Sequence, residues 1–160
     1  MIESFARNES SLELKEGQYI ISVKEDSAEQ LSAILLDDEY FELIKNNLVK
    51  SESGIPLINA VANNCLKARA YRELFERRKA GDKTADEKAI QKHLKDIWRL
   101  GAILGGDESV KLAGMPAKDI GGAIGKLSAL PEGQFKQVVT APGTNMKLIM
   151  DNLKKVFAVA

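Results

Sequence analysis

The chain has 160 residues, of which 44% are hydrophobic and 29% charged, and lysine plus arginine equal aspartate plus glutamate at 23 each. This length fits one domain with a hydrophobic core, or one compact domain with a helical appendage, and the composition excludes a disordered chain. Zero net charge excludes a global field that attracts nucleic acid or an anionic membrane, so any polyanion site must be a local patch.

Cysteine content and hydropathy indicate the compartment. The single cysteine, Cys65, cannot form an internal disulfide, and no charged and then apolar leader opens the chain. Both features favour a reducing cytoplasm. The longest apolar runs are a few residues long, against the roughly 20 residues that a membrane span needs. We therefore expect a cytoplasmic protein that does not span a membrane.

The first residues favour β-structure. Short β-favouring runs at Leu12–Lys15 and Tyr19–Val23 surround a turn that contains Gly17. Weak alternation at Met1–Ala6 allows a further strand. We predict strands within residues 1–23, arranged as a small hairpin or the edge of a sheet.

The next segment is predicted to be helical over residues 28–47. Ser27 and Gln30 have the spacing of a capping box, and Asp37 with Asp38 can cap a second helical turn. An extended piece at Ile55–Pro56–Leu57–Ile58 follows, restricted by its proline.

Two long helices are predicted over residues 59–80 and 85–104. The first should end at Gly81 after a basic pair, and the second should begin at a capping box formed by Thr84 and Glu87. Each has an apolar arc at 3.6-residue spacing, so the two should pair as an antiparallel hairpin. The arcs comprise Val61, Cys65, Ala68, Tyr71, Leu74 and Phe75 in the first helix, and Ile90, Leu94, Ile97, Gly101 and Leu104 in the second.

Beyond Gly106 the sequence is punctuated by glycine, alanine, methionine and proline, and it predicts three small helices around residues 117–130, 132–139 and 144–158. The fold class is therefore α+β and predominantly α-helical, with a small N-terminal β-hairpin or sheet remnant before a helical bundle. We expect one domain over residues 1–106 and a short-helix extension over residues 107–160.

Two segments of the long helices resemble a known family. Residues 66–74, LKARAYREL, and 92–100, KHLKDIWRL, resemble in order and spacing the bacterial nucleotidyltransferase-like proteins related to abortive-infection toxins of the AbiE/AbiG type. Residues 1–8, MIESFARN, and 31–40, LSAILLDDEY, resemble segments that precede this helix pair. The resemblance covers about residues 1–105 and corresponds to the C-terminal part of such proteins.

The resemblance implies metal-dependent nucleotidyl transfer. In this family a Gly-Ser turn and an Asp-x-Asp pair hold metal ions on the nucleotide phosphates, and a third carboxylate comes from a later strand. Glu3 has the position of that third carboxylate, whereas no Gly-Ser followed by Asp-x-Asp precedes it. Two-metal chemistry needs several carboxylates around ions about 3.5–4 Å apart. We expect the chain alone to be inactive and without a cofactor; the assembled enzyme would use Mg²⁺ and a nucleoside triphosphate.

The candidates for binding a nucleotide or an acceptor are four residues of the helix pair: Lys67, Arg69, His93 and Asp96. The resemblance implies that Lys67 faces the nucleotide phosphates; the alternative is an ion pair with an acid of the neighbouring helix. His93 projects to the buried side, as a hydrogen-bonded core residue or as a base or ligand. Asp96 either makes an intrahelical contact or orients Lys67 or Arg69 across the hairpin. Lys67, His93 and Asp96 would then form a polar seam.

Other patterns allow simpler explanations. The first long helix is locally basic, which suits either an RNA such as transfer RNA or a solvated helix face. Residues 121–126, GGAIGK, lack the spacing of a phosphate loop, and small residues that permit close helix packing explain them better. One histidine and one cysteine exclude a zinc site built from such ligands. The basic residues are Arg69, Arg72, Arg77, Arg78 and Lys79.

Two functions remain open. The first is the C-terminal portion of a nucleotidyltransferase-like protein that binds a nucleotide or an acceptor. The second is a non-catalytic helical interaction module of a toxin–antitoxin or phage-defence system. Such a module would bind its missing N-terminal half, an antitoxin or a second copy of itself through the tail after residue 106.

Overall fold

The computed structural model describes residues 19–21, 34–105, 109–139 and 143–159. These residues form six helices and two small antiparallel sheets, which confirms the predicted α+β, predominantly helical class. The chain divides into two units, Met1–Asn46 and Asn47–Ala160. The predicted boundary between residues 106 and 107 falls inside the second unit.

The first unit contains one strand pair and one helix. Strand β1 (Tyr19–Ile21) pairs antiparallel with β2 (Ile34–Leu36). Helix α1 (Asp38–Asn46) follows, with the carboxylate of Asp37 accepting a hydrogen bond from the backbone N–H of Tyr40 at 3.0 Å, as the predicted cap requires. The helix predicted over residues 28–47 is wrong for Ile34–Leu36. An apolar Ile-Leu-Leu run is compatible with a helix or a strand. It forms a strand here because it pairs with β1, which lies far from it in sequence.

The predicted strands at Met1–Ala6 and Leu12–Lys15 lie outside the described residues, and Glu3 lies there too.

A second hairpin opens the second unit. Strands β3 (Leu48–Lys50) and β4 (Pro56–Ile58) pair antiparallel, Leu48 opposite Ile58 and Lys50 opposite Pro56. Gly54 has φ +79° in the connecting turn, a conformation that glycine adopts without strain. The extended piece before the long helix is confirmed, whereas its partner strand was not predicted from the sequence.

Both long helices are confirmed as α2 (Ala60–Lys79) and α3 (Glu87–Gly101). Asn59 caps α2 by accepting from the N–H of Ala62 at 3.0 Å, and Gly81 adopts φ +91° just after the helix ends.

The predicted capping box at α3 is wrong. Asp86 is the N-cap and accepts from the N–H of Lys88 at 3.2 Å. Thr84 instead donates its N–H and its hydroxyl to Asp82, at 2.8 and 2.6 Å, and Arg77 donates to the same carboxylate. These hydrogen bonds lower the pKa of Asp82 to about 2.

Three short helices complete the unit as predicted: α4 (Gly114–Ser128), α5 (Glu132–Lys136) and α6 (Met146–Val156). Helix α4 packs against α2, and α6 packs against α3. The indole of Trp98 lies at the centre, edge-on to Phe135 at 5.4 Å between centroids and donating to the Met150 sulfur at 3.2 Å. The other large, fully buried side chains of this unit include Ile90, Leu94, Ile97, Ile120, Ile124, Leu127, Ile149, Leu153 and Val156.

The predicted apolar arcs are confirmed at most positions. Val61, Cys65 and Ala68 are buried, but Phe75 is 42% exposed and stacks on Tyr71 at 5.9 Å. The predicted burial of Phe75 is wrong. The last two turns of α2, where Phe75 lies, are exposed at nearly all positions. None of the helices in the described ranges is long and apolar enough to cross a bilayer.

Candidate functional site

The antiparallel pairing of α2 and α3 brings Lys67 opposite Asp96. The Lys67 Nζ lies 3.3 Å from Oδ2 of Asp96, and their side chains are 30% and 15% exposed. The structure therefore contains the interhelical ion pair that was one of the two possibilities for Lys67. Since the pair is near the surface, solvent still reaches the ammonium group.

Asp96 holds a second cation. Arg99, one turn further along α3, donates from Nη1 to the other carboxylate oxygen, Oδ1, at 2.5 Å. One carboxylate thus stands between a lysine and an arginine. The three groups together carry one net positive charge at the surface of the hairpin.

His93 completes this seam, which we define as Lys67, His93, Asp96 and Arg99. Partial burial and the Lys67 charge lower the pKa of His93, and the Asp96 charge opposes them. Its Nδ1 is buried and has no hydrogen-bond partner among the described residues, contrary to a fully hydrogen-bonded core histidine. The imidazole is therefore neutral at pH 7 and has an unused polar atom.

The lowered pKa of His93 predicts that acid destabilises the fold. The folded state binds this proton less readily than the unfolded state, whose pKa is near 6.5. The contribution of neutral His93 to the free energy of unfolding is complete above about pH 6.5. This contribution is lost as the pH falls from there through the pKa that His93 has in the folded state. His93 is the only histidine, so its imidazole NMR signals can be titrated without overlap. Lys67→Met should raise this pKa and Asp96→Asn should lower it further. Identical titrations in both variants would contradict the seam.

Arg69 does not join the seam. It lies two positions from Lys67 on α2, roughly 200° around the helix, and its Nε donates to Glu73 at 2.8 Å. Other arginines of the predicted basic patch are also paired: Arg77 with Asp82, and Arg78 with Glu87 at 3.6 Å. The patch on α2 is therefore largely neutralised by acids of α2 itself, of the following turn and of α3.

One close ion pair that involves a buried carboxylate was not predicted from the sequence. Arg72 Nε lies 2.7 Å from Oδ1 of Asp119 on α4, with side chains 38% and 1% exposed. The N–H of Arg72 is not aligned with that oxygen, so this is a close ion pair and not an aligned hydrogen bond. Asp119 lies on the apolar stripe of α4, next to Ile120, and that position is the signal that could have revealed it.

Asp119 also acts on the single cysteine. Burial, and then the Asp119 charge, raise the pKa of Cys65 to about 12. The thiol stays protonated at neutral pH and behaves as the small buried hydrophobe that was predicted.

The glycine-rich segment is part of helix α4 and forms no loop. The prediction that its small residues permit close packing is wrong for Gly122 and Gly125, where a Cβ would meet no described atom within 4 Å. Gly101 on α3 has that role, because its Cβ would lie 3.0 Å from side-chain atoms of Ile149 and Leu153 on α6.

A concave surface is present on helices other than those of the seam. The end of α4, α5 and α6 form an open groove of about 430 Å³, lined by both acids and lysines. It contains none of the predicted site residues. Within the described ranges, no group of three or more histidine, cysteine or acidic side chains could hold a metal ion.

Comparisons with protein-family models, curated proteins and solved structures find no match. The interpretation of the seam therefore depends on its geometry and on the chemistry of its side chains.

Proposed function

We propose that the seam binds the phosphate groups of a nucleotide, and that the chain is the nucleotide- or acceptor-binding portion of a nucleotidyltransferase-like protein. The observation that supports this proposal is the arrangement around Asp96, where Lys67 and Arg99 are held by one carboxylate at a solvent-accessible position. The resemblance of residues 66–74 and 92–100 to that family is consistent with it.

A phosphate can replace Asp96 as the partner of these cations. It carries more charge and more acceptor oxygens than a carboxylate, and charge-assisted hydrogen bonds to Lys or Arg are among the strongest that proteins make. The imidazole of His93, whose pKa is lowered by burial and by Lys67, stays neutral beside these groups and adds no charge to them. Catalysis would require carboxylates outside the described residues, with Glu3 as the candidate, and Mg²⁺ bound to the nucleoside triphosphate.

The test is calorimetric titration of the full chain with ATP and GTP, with and without Mg²⁺. We expect Lys67→Met to weaken nucleotide binding at least tenfold, because a hydrogen bond to a charged group contributes roughly 1.5–3 kcal/mol and each 1.4 kcal/mol is about tenfold in affinity. Lys136→Met is the matched control, since Lys136 is also an ion-paired lysine, 3.0 Å from Glu132 on α5.

Equal affinities of the wild type and Lys67→Met, or no binding of either nucleotide, would show that the Lys67–Asp96 pair only joins the two helices. The alternative interaction module would use the tail after residue 106. In the described part of that tail, α4 and α6 direct their apolar faces inward, and Leu148 is the exposed large apolar side chain. No observation favours that second function over nucleotide binding.

A further inference from the structure

The outer face of α3 carries a basic stripe, which we define as Lys88, Lys92, Lys95 and Arg99. These positions are spaced by four, three and four residues, so they fall within an arc of roughly 60° over a length of roughly 16 Å. The side chains that α3 buries, among them Leu94 and Ile97, lie on the opposite side of the helix. Lys88, Lys92 and Arg99 are exposed and Lys95 is half-buried.

Within the ranges that the structure describes, the lysines of the stripe have no acidic partners. None of the ion pairs among the described residues involves Lys88, Lys92 or Lys95. In contrast, four of the five residues of the predicted basic patch on α2 are ion-paired, with Glu73, Asp82, Glu87 and Asp119, and Lys79 is the exception. More unpaired positive charge therefore lies on α3 than in the patch on α2.

The acids of α3 do not cancel this charge. Glu87 is engaged by Arg78 and by the Gln91 amide. Asp96, at the edge of the stripe, is shared between Lys67 from α2 and Arg99 of the stripe, so its single negative charge is divided between two cations. The ion pair between the two helices thus leaves the outer face with an excess of positive charge.

We infer that this stripe binds the phosphodiester backbone of a nucleic acid. A stable protein interface needs an apolar or aromatic centre, and a helix that inserts into a membrane surface needs apolar side chains on its exposed face. The stripe has neither within its length; Ile103, an exposed apolar side chain, lies beyond the end of α3. Three unpaired lysines and Arg99, which also contacts Asp96, form a line without base-stacking aromatics, and this suits a regular row of phosphates contacted without regard to sequence.

This inference does not depend on nucleotide binding at the seam, because the three lysines of the stripe are not the groups that would hold the nucleotide. The experiment therefore separates the two. It measures fluorescence anisotropy of labelled 24-nucleotide RNA and DNA, single-stranded and duplex, with the full chain at 50–200 mM salt.

For duplex DNA we expect a slope of log K against log salt of about −2.7 to −3.6, which corresponds to three or four neutralised phosphates. Lys88→Gln/Lys92→Gln/Lys95→Gln should weaken binding more than tenfold at 50 mM salt and flatten the slope by about 1 per lysine. The control Lys111→Gln/Lys118→Gln/Lys155→Gln removes the same charge from exposed positions elsewhere and should retain binding. Trp98 emission and circular dichroism verify that both triple variants are folded.

Three results would overturn the inference: no binding of any nucleic acid at 50 mM salt, equal losses in the two triple variants, or displacement of the nucleic acid by polyglutamate at equal charge concentration. Binding to phosphatidylserine vesicles without binding to nucleic acid would indicate a membrane surface and would also overturn it. Comparison of the RNA and DNA probes shows which of them supplies the phosphates. If the triple variant of the stripe loses RNA binding and retains ATP binding, the stripe is a separate site. If Lys67→Met loses ATP binding and retains RNA binding, the seam is a separate site as well.

Discussion

Replacing Arg72 with methionine is expected to lower the free energy of unfolding by roughly 2–4 kcal/mol, because it removes the guanidinium that lies 2.7 Å from the buried carboxylate of Asp119. Asp119 is 1% exposed and Arg72 38% exposed. Breaking a fully buried pair costs roughly 3–5 kcal/mol, and water near Arg72 reduces this value. Urea unfolding followed by Trp98 emission measures the effect, because Trp98 is the only tryptophan.

The matched control for Arg72 is Lys147→Met. Lys147 and Asp151 lie at the same distance of 2.7 Å, but both are exposed, so this change should cost less than about 1 kcal/mol. The double variant Arg72→Met/Asp119→Leu should recover part of the loss, since it removes the buried charge together with its partner. Equal effects of Arg72→Met and Lys147→Met would mean that burial does not strengthen the Arg72–Asp119 pair.

Gly101→Ala is expected to destabilise the protein by roughly 1–2 kcal/mol, although alanine favours a helix over glycine by about 1 kcal/mol. The added methyl group would lie 3.0 Å from Ile149 and Leu153, closer than ordinary carbon contacts. Neither neighbour can withdraw easily, since both are nearly or fully buried. Helix α6 would have to move away from α3, and thermal unfolding would report a lower Tm.

Gly122→Ala provides the opposite control within the same unit. Gly122 lies inside α4 and is exposed, and a Cβ there meets no described atom within 4 Å. Only the helix propensity should change, which predicts a stabilisation of up to about 1 kcal/mol. If both alanine variants were stabilised, the close approach of α3 and α6 would not depend on Gly101.

Local signals were sufficient where an element depends on its own residues. Apolar periodicity, Asn59 before α2 and Gly81 after it placed that helix within a residue at each end. Ile34–Leu36 shows the opposite case, because the same apolar run fits a helix or a strand until a partner is present. The cap of α3 was displaced from Thr84 to Asp86 because Asp82 and Arg77 hold Thr84 in the preceding turn.

Part of the seam was predictable from the sequence. Helical projection placed Lys67, His93 and Asp96 toward one another, and the interhelical ion pair is present in the structure. The second cation on Asp96 was not predicted, although Arg99 is one turn from it and an i,i+3 contact is a local signal. Whether these residues bind a nucleotide stays a prediction that the Lys67→Met titration tests.

The sequence alone determined the helical class, the long α2–α3 pair and the three short helices, because hydrophobic periodicity and capping act over neighbouring residues. Only the tertiary structure decided which charges are neutralised and which remain available. Arg72 meets Asp119 across α2 and α4, and Lys67 meets Asp96 across α2 and α3. Both pairs join residues far apart in sequence, whose proximity depends on how the helices pack. That packing leaves Lys88, Lys92 and Lys95 on the outer face of α3 without an ion-pair partner among the described residues.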